Sequence, residues 1–267
     1  MPVAPIADVS NAMRPRLLLV VPTYNEQGNL PALVARVLAA LPAAEILVVD
    51  DASPDGTAEL ARQLAAARPA VHLLARRGER GLGRAYVAGL EWGLAAGYAV
   101  VGTMDADLSH DPAYLPAMLA ALEESSGCAG ADVVIGSRYA AGGGTVHWGL
   151  YRRLLSRSAN RFSARLLGLQ ARDLTSGFRL YRASALAAID LADITSTGYS
   201  FLVELLARLQ AAGARIAESP IVFADRREGR SKLSLWEIPL GAFHLMRLRL
   251  GRIGRARGAP HPSFSWK

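Results

Sequence analysis

Five short apolar runs set the frame for this chain: LLLVVP at 17–22, EILVVD at 45–50, VHLLA at 71–75, YAVVGTM at 98–104 and DVVIG at 132–136. Amphipathic stretches of helical length lie between them, near 29–41, 56–68, 83–97 and 113–124. Such alternation predicts an α/β fold, a mostly parallel sheet with helices on both faces. Ligands of such sheets gather outside the carboxyl ends of the strands. Three of those ends are polar and rich in acids: Pro22-Thr23-Tyr24-Asn25-Glu26, Asp50-Asp51-Ala52-Ser53-Pro54-Asp55-Gly56 and Asp105-Ala106-Asp107. That edge is the expected site.

After Arg138 the pattern changes to a glycine turn at 142–144, a helix near 148–168, a helix near 199–212 and a hairpin-like region at 215–225. The loop RREGRSK and an amphipathic segment rich in arginine follow. We expect a loose leader at 1–15, one catalytic domain at 16–232 and a basic amphipathic extension at 233–267. With 51% apolar residues the chain can bury a real core. No apolar run reaches the roughly 18 residues that span a bilayer. Cys128 is the only cysteine, and the N-terminal stretch lacks the apolar centre of an export signal, so a cytoplasmic location is expected.

The net charge is +7, and 28 of the 30 basic residues are arginines. Nine arginines lie from Arg138 to Arg182, with a single acid, Asp173, among them. A second basic cluster runs from Arg226 to Arg257, while the first half of the chain is near neutral. This asymmetry points to an anionic partner. Nucleic acid is disfavoured, because the aromatics do not interleave with the arginines as stacking platforms do and the acidic strand ends repel phosphates.

Asp-x-Asp is weak by itself, since about one such triplet is expected by chance in a chain of this length. At a strand end it gains meaning, because side chains two apart on an extended segment point the same way. Two carboxylate donors there suit Mg²⁺ or Mn²⁺ shared with substrate phosphates. The competing reading is a surface turn capping the helix near Pro112. In the second loop Ser53 or Asp55 reads as a helix cap, which leaves the consecutive acids Asp50-Asp51 unexplained. A carboxylate there suits a ribose or a base edge. No GxGxxG or Walker lysine is present, which disfavours an NAD enzyme and a P-loop NTPase.

Arg153, Arg157, Arg161 and Arg165 form a basic stripe at four-residue spacing, with Leu154, Leu155, Phe162 and Leu166 as the expected apolar packing face. Arg152 and Ser156 lie one turn apart on a neighbouring edge, where they can share a phosphate. Lys232, in Arg226-Arg227-Glu228-Gly229-Arg230-Ser231-Lys232, is the only lysine besides Lys267. A compact ammonium in a glycine-containing loop suits a point contact to phosphate. Ser234 and Glu237 fit a capping box for the final segment, which either packs on the domain or lies in a membrane interface.

The stretches VVPTYNEQGNL, ILVVDDASPDGTA, GLGRAYVAGLEWGL, MDADLSHDP, DVVIGSRYAAGG, DLTSGFRLYR, GYSFLVELLAR and RREGRSKLS resemble the family 2 glycosyltransferases. The resemblance is closest to the polyprenol-phosphate (dolichol-phosphate) mannosyltransferases. It implies a GT-A-type, Rossmann-like fold and transfer of mannose from GDP-mannose to a polyprenyl phosphate, feeding later glycan or lipoglycan assembly. By resemblance Pro22, Tyr24, Glu26 and Asp50 hold the nucleoside. Asp105, Ala106 and Asp107 serve the diphosphate through Mg²⁺ or Mn²⁺, Ser109 standing where some relatives carry a glutamine near the metal. Arg226 and Lys232 close over the diphosphate, and Arg138, Arg152 and Ser156 receive the acceptor's phosphate. Many members carry C-terminal spans. This chain is expected to reach its lipid peripherally, at the cytoplasmic face of the membrane, or through a membrane-protein partner. The implied reaction is a metal-dependent single displacement with inversion, in which Asp107, Arg226 and Lys232 carry the chemistry. A donor such as UDP-glucose, or nucleotidyl transfer, are the alternatives.

Overall fold

A computed structural model describes residues 16–78, 80–123, 130–196, 198–224 and 245–249, the side chain of Tyr199 excepted. Arg226, Lys232 and the Ser234/Glu237 capping box lie outside the described residues.

The first half follows the expected alternation: β1 (Leu17–Thr23), α1 (Leu30–Ala40), β2 (Ala44–Asp50), α2 (Thr57–Ala67), β3 (Val71–Ala75), α3 (Leu82–Ala95), β4 (Val100–Thr103) and α4 (Leu115–Leu122). The second half holds β5 (Val133–Ser137), β6 (Gly144–Val146), α5 (Leu150–Leu167), β7 (Arg179–Arg182), α6 (Ala183–Ala187), α7 (Tyr199–Ala211), β8 (Ile216–Pro220) and β9 (Val222–Ala224). Seven strands form one sheet in the order β3-β2-β1-β4-β7-β5-β8. Only β7 runs antiparallel to its neighbours. The start of β7 therefore lies at the same edge as the ends of the parallel strands.

The period of two along β1 explains how both faces are covered. Leu18 and Val20 enter one core with Ala85, Tyr86 and Leu90 of α3 and the apolar residues of α7. Leu17, Leu19 and Val21 enter the other, with Leu30, Leu33 and Val37 of α1 and Leu115 and Met118 of α4.

Three sequence expectations are corrected. The region 215–225 is not a hairpin: β8 extends the large sheet beside β5, while β9 pairs with β6 in a separate two-stranded sheet. Ile221, whose amide donates to the Ser137 carbonyl, carries the chain from one sheet to the other. The segment after β4 is a turn rather than extended chain, so alternation of side chains does not apply to Asp105 and Asp107. Finally, of the four residues in the expected apolar face of α5, only Leu166 packs on the core. The helix buries Asn160, Ser163 and Leu167, whereas Leu154, Leu155 and Phe162 are exposed. The reason is polar: Asn160 Oδ1 accepts from the Leu174 amide at 2.7 Å and its Nδ2 donates to the Ser156 carbonyl and to Thr175. These bonds seat the loop before β7.

That loop is held from the other side by Arg179, which is fully buried. Its guanidinium donates to the carbonyls of Ser176, Leu202 and Leu174, tying the loop to α7. Among 245–249, which are helical, Leu245 is buried and Leu248 packs on the core, while Met246 faces out.

Candidate active site

The three acid-rich strand ends meet at one edge of the sheet, and each loop there holds a non-glycine residue in the left-handed region: Asn25, Ala52 and Leu108, at φ 59°, 56° and 61°. Such residues cost roughly 1–2 kcal/mol each and collect at functional edges.

The consecutive acids now have a structural account. Asp50 Oδ1 accepts from the hydroxyls of Thr23 and Ser53, at 3.2 and 2.6 Å, and its Oδ2 from the Ser53 amide at 3.0 Å. Asp51 pairs with Arg76 and accepts from the Gly81 amide at 2.7 Å. Asp50 thus fastens the second loop to β1, and Asp51 fastens it to the entry of α3. Ser53 and Asp55 lace the first loop to the second, receiving the amides of Asn25 and Gln27. Pro22 lies opposite Val49, one position before the ladder of β1 ends at Thr23 and Asp50. The Glu26 carbonyl caps α1, and its carboxylate accepts from Asn29 at 2.8 Å. Tyr24 is covered by Arg80, which sequence reasoning missed: the guanidinium stands 4.7 Å from the ring centroid and donates to the hydroxyl at 2.7 Å.

The cap of the turn at Pro112 is made by Asp111, which accepts from the Ala113 amide. Capping therefore makes no demand on Asp105 or Asp107. Asp105 Oδ1 accepts from the buried Tyr86 hydroxyl at 2.8 Å, and its side chain keeps 27% of its surface exposed. The Asp105 amide donates to His110 Nδ1 at 3.4 Å. Burial lowers the His110 pKa, against the pull of Asp105 and Asp107, so the ring is neutral and Nδ1 acts as acceptor. Gly177, just before β7, is required by close approach: a Cβ there would lie 2.9 Å from the Tyr86 hydroxyl and 3.0 Å from Asp105 Oδ1. Asp107 Oδ1 accepts from the Ser109 amide at 3.1 Å. Ser109 Oγ is buried with no hydrogen-bond partner among the described residues.

A divalent cation fits this donor set. Two carboxylates, one of them partly exposed, and a buried hydroxyl without a partner among the described residues stand on one turn, and these are hard oxygen donors. Among the described residues no group of three or more His, Cys, Asp or Glu is arranged to enclose a metal. A cation there would take its remaining ligands from water or substrate.

A second group of residues lies across a row of rings from these acids. His110 stacks on Phe178 at 5.3 Å and meets Phe223 edge-on at 5.2 Å, and Phe223 meets Trp148 edge-on at 5.6 Å. Arg152 stands over Trp148, 4.1 Å from its centroid. Ser156 Oγ accepts from the Tyr139 hydroxyl at 2.6 Å. Arg138 is buried and donates from Nε and Nη2 to Asp173, each at 2.7 Å, with Nη2 also reaching Thr175. Burial alone would raise the Asp173 pKa, but the bonds from Arg138 bring it below the ordinary carboxylate value. The only acid in the basic run is the partner of its first arginine, a signal the sequence carried unread.

The structure thus brings Pro22, Tyr24, Glu26, Asp50, Asp105, Ala106, Asp107 and Ser109 to one edge, with Arg138, Arg152 and Ser156 beside it. Sequence reasoning missed Arg80, Tyr86, His110, Tyr139, Trp148 and Asp173.

Comparison with known proteins agrees with this geometry. Residues 18–190 match the model of the glycosyl transferase family 2. The chain is 46% identical over 245 residues to the polyprenol monophosphomannose synthase of Mycolicibacterium smegmatis, covering 91% of each chain. It is 47% identical over 219 residues to the undecaprenyl-phosphate mannosyltransferase of Micrococcus luteus, covering 82% of this chain and 88% of that one. Among solved structures, glucosyl-3-phosphoglycerate synthase from Mycobacterium tuberculosis, in complex with Mn²⁺, UDP and phosphoglyceric acid, superposes with a TM-score of 0.63 at 17% identity. That match covers 90% of this chain and 79% of the other, and shows a shared GT-A-type fold. From the sheet edge and from these relatives, the chain is a member of the glycosyl transferase family 2.

Proposed function

We propose that this enzyme transfers mannose from GDP-mannose to a polyprenyl phosphate, with inversion at the anomeric carbon and with Mg²⁺ or Mn²⁺. The names of its two relatives support the sugar and the acceptor class. The observation that carries the reading is α5. Its inner edge presents Arg152 and Ser156 beside Trp148, while its outer face exposes Leu150, Tyr151, Leu154, Leu155 and Phe162. An acceptor with a phosphate head and a hydrocarbon tail needs both. The exposed Arg153, Arg157, Arg161 and Arg165 flank that face and suit anionic headgroups, so the chain would sit peripherally on a membrane. Among the described residues no helix is long and apolar enough to cross one.

In this reading Asp105 and Asp107 hold the cation, with Ser109 Oγ beside it. The cation supplies charge neutralisation for the departing diphosphate. Pro22, Tyr24, Glu26 and Asp50 hold the nucleoside and Ala106 lends backbone, while Arg226 and Lys232 close over the diphosphate. Arg138, Arg152 and Ser156 orient the acceptor. A phosphomonoester has its second pKa near 6 and is mostly dianionic at neutral pH, so it attacks without a general base. Catalysis then consists of bringing two anions into line and stabilising the leaving group.

The test combines labelled GDP-mannose, a short-chain polyprenyl phosphate and Mg²⁺. Asp107→Asn and Lys232→Ala should each reduce transfer by about a hundredfold or more. Transfer insensitive to both changes would remove the mechanism. Turnover of UDP-glucose with none of GDP-mannose would remove the donor assignment.

A further inference from the structure

Trp148 stands where β6 gives way to α5. His147 before it is in the left-handed region, at φ 63°, and the Trp148 carbonyl accepts from Arg153 Nε at 2.9 Å, so the backbone is bent and tied to set this ring. The side chain is 6% exposed. Its π-system is engaged by Arg152 at 4.1 Å, by Arg138 at 5.4 Å and by the edge-on Phe223 ring. Its Nε1 is buried and has no hydrogen-bond partner among the described residues.

An indole N–H can only donate, and a buried donor without an acceptor is costly to keep. The two guanidiniums nearest the ring are also donors only. Arg138 already has its acceptor in Asp173, whereas the indole N–H has none, and the Arg152 charge stacked on the ring favours an anion in that place. Ser156, one turn after Arg152, and the Tyr139 hydroxyl bonded to it add neutral groups of the kind that bind a tetrahedral oxyanion.

We propose that Trp148 contacts substrate directly: its indole N–H donates to the phosphomonoester received by Arg152 and Ser156, while its ring face positions the Arg152 guanidinium. This rests on the acceptor assignment above and adds to it a donor that needs no charge. Removing the N–H while keeping an aromatic face should therefore weaken the acceptor and spare the nucleotide sugar.

The experiment uses the full chain labelled with ¹⁵N-tryptophan, which has four indole signals. Trp148→Phe identifies the relevant one. If that variant does not fold, Trp92→Phe, Trp236→Phe and Trp266→Phe assign it by elimination. Titration without donor, using short-chain polyprenyl phosphate or inorganic phosphate, should move the Trp148 indole signal downfield and saturably. A shift with the polyprenyl ester alone identifies the lipid-linked phosphate as the ligand; a shift with both identifies the phosphate group itself. In the transfer assay Trp148→Phe should raise KM for the polyprenyl phosphate about tenfold, the scale of one hydrogen bond to a charged group. KM for the donor should stay at its wild-type value. An indole signal unmoved by either phosphate, or an unchanged acceptor KM in Trp148→Phe, overturns the proposal. A shift with inorganic phosphate in a chain that does not use polyprenyl phosphate keeps the anion contact and removes the acceptor assignment instead.

Discussion

Asp105 is held from three directions, and each hold comes from a different part of the chain. Tyr86 on α3 donates to its Oδ1, His110 receives its amide, and Gly177 clears the space beside it. Outer groups of this kind fix a ligating carboxylate, and losing one typically weakens metal binding by about 10–100-fold. Tyr86→Phe keeps the ring, which stacks on Phe201 at 5.7 Å, and removes only the hydroxyl. We expect Mn²⁺ binding in the presence of GDP to weaken about tenfold, measured by electron paramagnetic resonance of the free ion. Unchanged affinity would show that Tyr86 does not govern Asp105. At this scale the sequence was half legible. Acid-rich strand ends located the edge, because carboxylates have few structural reasons to collect there. The roles within the edge were hidden: Asp50 and Asp51 read as ligand groups, yet Asp50 also ties its loop to Thr23 of β1, and Asp51 ties it to Arg76 and to the Gly81 amide. Those ties join residues about 25 to 30 positions apart, and no local spacing rule reaches that far.

The helices and strands were legible where they were long and regular. Strands β1, β2 and β3 and helices α1 to α3 lie within about two residues of where periodicity put them. Strands β6 and β7, of three and four residues, are too short to leave a period. Helix α5 misled for another reason: the pattern rule assumes that apolar residues face inward, and here Asn160 does so instead. Close approach between elements was equally invisible. Gly89 of α3 faces β1 so tightly that a Cβ would lie 2.2 Å from Val20 Cγ1 and 3.2 Å from Val49 Cγ2. Valine is stiff at χ1 and cannot swing away. Gly89→Ala should therefore destabilise the fold by about 1–3 kcal/mol despite alanine's better helix propensity, as chemical denaturation would show. A stabilised variant would mean that α3 can lift from the sheet without cost.

For the whole molecule, charge and apolar exposure converge on the second half of the chain. The exposed leucines of α5, with Val146 of β6 and Val222 of β9, lie in the arginine-rich half of the chain. Leu154→Glu combined with Leu155→Glu changes exposed positions only, at 55% and 37% exposure. We expect it to reduce binding to phosphatidylglycerol vesicles about tenfold or more in a sedimentation assay, with the fold intact by circular dichroism. Equal binding by variant and parent would place the lipid contact elsewhere. The sheet order carries a further consequence. Strands β1 to β4, from the first half of the chain, lie together on one side, and β5, β7 and β8 on the other, joined at the β4–β7 pair. Asp105 follows β4 and Gly177 precedes β7, so both stand at the end of that join. If the two halves rocked against each other, the join would be their pivot. Points on a pivot are displaced least, and the carboxylate we propose to hold the metal has been placed on it.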